Sequence, residues 1–203
     1  MREIAEGVQR FRRDAFPARA ELFEQLATVH RPAALFIGCS DARVVPELIT
    51  QREPGELFVI RTAGNLVPPY GTGADGVAAS IEYAIGVLGV ADVIVCGHSG
   101  CGAMTALADG GDLGHLPAVA RWLRHAGAAR ARTDAVGHPA GEQRVAALVR
   151  DNVLGQLANL RTHPSVASAL TLGAVRLHGW VYDIRTGSVR TSDDAGRFVA
   201  LTA

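Results

Sequence analysis

The sequence predicts an α/β fold: a mostly parallel central β-sheet flanked by helices and preceded by an N-terminal helical arm. Two observations predict it. Short runs of strand length alternate with helical stretches, the order that βαβ units require. The first of those runs is apolar throughout, as a strand buried on both faces reads. A third observation agrees: 48% of the residues are hydrophobic but only 5% aromatic, which gives a core of Val, Leu, Ile and Ala.

Residues 1–29 read as one or two helices broken near Phe16-Pro17, and form the arm; residues 30–203 form a single α/β domain. Ala33–Gly38 is the first strand and runs into Cys39-Ser40-Asp41-Ala42-Arg43. Leu57–Arg61 is the second, entered through the turn Glu53-Pro54-Gly55. A Gly/Pro loop, 65–76, leads to a helix over 77–88. Ala91–Cys96 is the third strand and ends at Gly97-His98-Ser99-Gly100-Cys101-Gly102, followed at once by a helix over 103–107. After a Gly-rich loop, helices are expected over 117–132, 142–162 and 164–172. The chain closes with a strand within 174–184, a turn at 185–188 and a return strand at 189–191.

Charge and composition exclude several functions. Twenty basic residues balance twenty acidic ones, and every basic residue is arginine. Without lysine there is no Schiff-base chemistry and no P-loop phosphate cradle. A formal net charge of zero argues against nucleic acid or an anionic membrane as partner. No apolar run approaches the roughly 18 residues of a membrane span. The Arg-bearing N-terminus carries too many acids for a transit peptide, so a cytoplasmic enzyme is expected. Three cysteines suit a metal or catalytic role better than a disulfide framework.

In a sheet of this kind ligands bind beyond the carboxyl ends of the strands, where Cys39, His98 and Cys101 all fall. Thiolate and imidazole ligands favour zinc over magnesium or calcium. Asp41 has two readings: a fourth ligand that closes the site, or an acceptor for a hydroxide on the metal. Arg43, permanently charged and forked, can clamp it. Two other motifs fail on context. Gly71–Gly76 matches G-x-G-x-x-G but follows Pro68-Pro69-Tyr70 rather than a strand, and Gly97–Cys101 lacks the final glycine of a nucleophile elbow. Cys96 reads as a core thiol, His178 as packed, and His115, His125, His138 and His163 as surface or capping residues.

The pair Cys-Ser-Asp-Ala-Arg and Gly-His-Ser-Gly-Cys-Gly, about 60 residues apart, resembles the β-class carbonic anhydrases, and most closely the cyanate-operon type of bacteria. That resemblance implies zinc held by Cys39, His98 and Cys101, with Asp41–Arg43 as a gating dyad. It further implies reversible hydration of carbon dioxide to bicarbonate and a proton by zinc-bound hydroxide. Gly102 is implied as the oxyanion donor, and Phe58, Ala63 and Tyr83 as the apolar substrate lining. It also implies a homodimer at least, with tetramer or higher left open, and an arm that wraps the partner. His30 stands where many members carry a substrate-binding glutamine, and Thr62 where asparagine is usual. Arg61 and Tyr182 match two members of a family inhibitory bicarbonate site, but Phe36 occupies its tryptophan position. Two alternatives remain at this stage: a relative acting on carbon disulfide or carbonyl sulfide, and a structural zinc knot in a binding protein.

Overall fold

In a computed structural model that describes residues 1–71 and 75–202, contacts divide the chain into two units, Met1–Arg31 and Pro32–Ala203. The first unit contains helices α1 (Arg2–Arg10) and α2 (Ala20–Leu26), joined by a π-turn and a 3-10 turn that starts at Pro17. Phe11, Phe16 and Phe23 pack their rings together with centroids 5.2–6.2 Å apart, so the break expected near Phe16-Pro17 is a corner held by aromatics.

The second unit is built on a six-stranded sheet. Its strands are β1 (Ala34–Cys39), β2 (Leu57–Thr62), β3 (Asp92–His98), β4 (Arg176–Tyr182), β5 (Val189–Ser192) and β6 (Phe198–Ala200), in the order β2-β1-β3-β4-β5-β6. The first four run parallel; β5 and β6 add an antiparallel edge. The sheet is therefore mostly parallel, as expected. The third strand extends to His98, two residues beyond the stretch the sequence suggested, because its ladder with β4 continues to the pair His98–Tyr182.

The helices are α3 (Pro46–Thr50), α4 (Gly76–Gly86), α5 (Gly102–Asp109), α6 (Pro117–Leu123), α7 (Gly127–Val136), α8 (Glu142–Leu160) and α9 (Pro164–Thr171). Their ends follow local chemistry. Pro46, Pro117 and Pro164 open α3, α6 and α9, where the missing N–H costs nothing. Asp75 caps α4 by accepting from the Val77 and Ala78 amides at 2.7 and 3.2 Å. Gly110 and Gly137 end α5 and α7 in the left-handed conformation. The single helix expected over 117–132 is two, because the chain tightens into a 3-10 turn at Arg124–Ala126. Thr72, Gly73 and Ala74 of the glycine-rich match lie outside the described residues.

Side-chain alternation along β1 divides the core. Leu35 and Ile37 join Val93, Val95, Ile81, Val153, Leu157 and Leu160 on the face covered by α4, α8 and α9. Ala34, Phe36, Ile94 and Cys96 occupy the opposite face with Trp180. Cys96 is thus a core thiol, and burial pushes its pKa up to about 12. A separate cluster at the carboxyl ends of the strands contains Cys39, Cys101, Leu66, Met104, Leu123, Leu148 and Val149.

Helix α8 lies close to the sheet because β4 presents a glycine to it. A Cβ on Gly179 would fall 2.7 Å from Ser192 Oγ and 2.9 Å from both Leu157 Cδ1 and Val153 Cγ1. Gly179→Ala is therefore expected to lower unfolding free energy by about 2 kcal/mol, the scale of overpacking in a close-packed core. Chemical denaturation checks this, and an unchanged midpoint would contradict it.

Candidate metal centre

Strands β1 and β3 are parallel neighbours, with Gly38 opposite Cys96. Their carboxyl ends therefore deliver Cys39 and His98 to one place, and the turn after β3 brings Cys101 back as the N-cap of α5. Among the described residues these three form one potential metal-ligating group, with donor atoms all within 4.8 Å of one another. All three are buried, His98 fully.

The donor chemistry fits zinc. His98 Nδ1 lies 3.0 Å from the Ser99 carbonyl, so that nitrogen carries the proton and Nε2 presents its lone pair. Nε2 is buried and has no hydrogen-bond partner, a cost of roughly 1–3 kcal/mol unless a metal or water meets it. The cysteines titrate as a pair: the bond between the two side chains favours the thiolate at Cys39 and opposes it at Cys101. Gly64 N donates to Cys39 Sγ at 3.4 Å, and the Met104 and Ala103 amides of α5 lower the cost of charge on Cys101.

Asp41 sits on the loop after β1. Arg43 grips it from both sides, Nε to Oδ1 at 2.9 Å and Nη2 to Oδ2 at 2.7 Å, while the Arg43 amide also donates to Oδ1. A further bond joins Arg43 Nη2 to the Gly100 carbonyl at 3.2 Å, tying the β1 loop to the β3 loop. The guanidinium beside it holds the Asp41 carboxyl far below its usual range. Asp41 Oδ2 is 3.9 Å from His98 Nε2, yet Asp41 is not part of the ligating group. Its oxygens are already committed to Arg43.

The lining residues are less concentrated. Phe58 borders a cleft of about 470 Å³ along β2, together with Arg61, Thr62, Val77, Ser80 and Trp122. Neither the three donors nor Asp41 lines that cleft. Tyr83 is half-exposed, with its ring centroid 6.0 Å from that of Phe58. The Ala63 carbonyl accepts from Trp122 Nε1 at 2.8 Å. Gly102 is the first residue of α5, so its amide has no partner within the helix ladder. His30 is exposed and belongs to the N-terminal unit.

Several contacts around the centre escaped sequence reasoning. Arg61 donates to the carbonyls of Cys39, Asp41 and Val44 at 3.0, 2.6 and 2.8 Å, which commits this arginine to shaping the Asp41 loop. On the other side, Asn152 donates to Gly64 O, Asn159 to Val67 O, and Gln156 accepts from Val67 N. Asn152 and Gln156 are fully buried at i, i+4 within an otherwise apolar stripe of α8. Buried amides need partners, and that was the available signal. His163, expected as a surface or capping residue, stands at the N-cap of α9 but is buried: it is 2% exposed and meets Pro68 O at 3.0 Å.

A parallel sheet that gathers two thiols and a buried imidazole with one unpartnered nitrogen at adjoining strand ends defines a zinc enzyme. A sequence profile described as carbonic anhydrase matches residues 34–189. The carbonic anhydrase of Pseudomonas aeruginosa is 62% identical over 202 residues, covering 99% of this chain and 92% of that protein. Carbonic anhydrase 1 of Escherichia coli O157:H7 is 56% identical over 204 residues, covering 100% and 93%. The solved β-carbonic anhydrase CcaA superposes with a TM-score of 0.95 at 46% identity, over 99% of both chains. The chain belongs to the carbonic anhydrase family, in its β class: a zinc-dependent enzyme that hydrates carbon dioxide.

Proposed function

We propose that Cys39, His98 and Cys101 hold the catalytic zinc and that Asp41 and Arg43 work beside it as an orienting dyad. The observation that carries this reading is the buried, unpartnered His98 Nε2 within 4.8 Å of both thiols. When bound, zinc lowers the pKa of a coordinated water from about 15.7 to about 7, the effect for which carbonic anhydrases are the standard illustration.

The chain's own residues then orient the reaction. Asp41, kept ionised by Arg43, accepts the hydrogen bond of the attacking hydroxyl and turns its lone pair toward carbon dioxide. Arg43 holds the carboxylate by two side-chain bonds, so the acceptor is fixed before substrate arrives. The Gly102 amide, at the positive end of α5, meets the oxygen that gains charge. Phe58, Ala63 and Tyr83 supply the apolar lining.

The assembly is proposed as a homodimer at least, with the N-terminal unit as the arm that engages the partner. Two tetrameric β-carbonic anhydrases of Sordaria macrospora lend support; one superposes with a TM-score of 0.76 at 27% identity, over 98% of this chain and 95% of that one. No helix of the described residues is long and apolar enough to cross a membrane, and the enzyme is proposed to work in the cytoplasm. The cyanate-operon type rests on the motif resemblance, and co-transcription with a cyanate-degrading enzyme is its check.

Metal analysis with stopped-flow carbon dioxide hydration tests the central reading. The expected result is one zinc per chain, activity lost on chelation, and recovery with zinc but not magnesium. Metal-free protein that stays folded and active would overturn it.

A further inference from the structure

The peptide unit between Ala63 and Gly64 carries a hydrogen bond at each end. Its N–H, on Gly64, donates to Cys39 Sγ at 3.4 Å. Its carbonyl, on Ala63, accepts the indole N–H of Trp122 at 2.8 Å. A trans peptide is a rigid plane whose C=O and N–H point in opposite directions, so indole and sulfur sit at the two ends of one polarisable group.

That plane is locked from the neighbouring side. The Gly64 carbonyl accepts Asn152 Nδ2 at 3.0 Å, and Asn152 Oδ1 in turn accepts Gln156 Nε2 at 2.9 Å. Gly64 adopts φ +74°, and a Cβ there would lie 3.0 Å from Ala103 Cβ and 3.1 Å from Met104 Cε. Position and conformation both demand glycine.

We propose that Trp122 is a positioning residue for the metal centre: its indole N–H, acting through the Ala63–Gly64 peptide, orients and polarises the N–H that Cys39 Sγ accepts. The inference rests on the reading of Cys39 as a zinc ligand. A donor on an amide oxygen draws density along the amide and strengthens its N–H as a donor. A sulfur that accepts a stronger hydrogen bond gives less density to its metal, which is how groups behind the ligands tune a site. Tryptophan has one N–H, and here it is spent on Ala63 O. Trp122 therefore acts on the sulfur through this peptide and not by a bond of its own.

Cobalt(II) in place of zinc gives the experiment a readout independent of turnover, because thiolate-to-cobalt charge transfer absorbs light at an energy set by the sulfur. Trp122→Phe keeps an aromatic ring and removes the donor. Replacement of Trp122 by its benzothiophene analogue keeps the whole bicycle and loses only the N–H, which guards against a packing defect. In both proteins the charge-transfer band is expected to move to longer wavelength while the tetrahedral ligand-field bands persist. Loss of the peptide's hold on the Cys39 sulfur is expected to outweigh the sulfur's stronger donation, so that zinc release to excess chelator accelerates about tenfold. Trp180→Phe, which alters the other tryptophan on the opposite sheet face, is expected to move neither quantity.

An unmoved band and unchanged release in both Trp122 proteins would overturn the inference. So would a shift in Trp122→Phe that the benzothiophene analogue does not reproduce, since ring packing would then be the cause. Unsubstituted protein that takes up cobalt without any thiolate band would instead overturn the ligand assignment on which the inference stands.

Discussion

Cys101→Ser is expected to lose its zinc, and carbon dioxide hydration is expected to fall to the uncatalysed background. The proposed site offers zinc three protein donors, and serine offers a hydroxyl that stays protonated near neutral pH where a thiol beside the metal ionises outright. The chain should still fold. Serine is close in size to cysteine, and the position is an N-cap, which serine suits better. Burial of an extra hydroxyl at a 1% exposed site costs about 1–3 kcal/mol when unpaired, partly offset by the improved cap. The loss of activity therefore reports the donor rather than the fold. Elemental analysis, circular dichroism and stopped-flow assay on one preparation separate the two. Full zinc content with normal turnover would remove Cys101 from the ligand set.

Asp41→Asn is expected to behave differently: zinc stays and turnover falls about 10²- to 10³-fold, the usual cost of removing a preorganised polar group from a reacting centre. Asparagine keeps the shape of aspartate but carries no charge, and one of its two terminal atoms is a donor. Arg43 can then keep only one of its two side-chain bonds to position 41, and the attacking hydroxyl loses its fixed acceptor. The pH dependence sharpens this. Because Arg43 holds the Asp41 carboxyl well below its ordinary range, Asp41 stays ionised throughout the neutral region. It should contribute no inflection to the wild-type profile there, and the midpoint of activity between pH 6 and 9 should survive the substitution even as its height collapses. Unchanged turnover would sink the orienting role; lost zinc would make Asp41 a ligand instead.

The parts of this centre that were legible in the sequence share one property: their chemistry is written locally. Cys39 with Asp41 and Arg43 spans five residues, and His98 with Cys101 spans four, each at the end of an apolar run that could hardly be anything but a strand. The parts that were not legible depend on distance. Trp122 meets a carbonyl 59 residues away and Asn152 one 88 residues away, and no local spacing encodes such partners. Arg61 matched one position of a family anion site, but its contacts with three carbonyls 17 to 22 residues away were not legible. In the fold, the first strand was clear because it is apolar throughout, and the other parallel strands because short apolar runs alternate with helical stretches. The short α3 and β6 were not, since five and three residues are too few to show a period. The turn within residues 117–132 carries no proline to announce it.

The register of β1 against β3 has a bearing on how the enzyme matures. The two cysteines stand about 60 residues apart in the chain, so an unfolded polypeptide must close a long loop to bring them together, against an entropy that grows with its length. A slip of one position in the ladder would turn Cys39 to the other side of the sheet. With Cys39, His98 and Cys101 as its proposed ligands, zinc would be captured by all three donors only after the central strands have paired correctly. On that ligand set, metal uptake would come late in folding and would favour the correctly aligned sheet over misaligned competitors, because a ligand that binds only the native arrangement stabilises it.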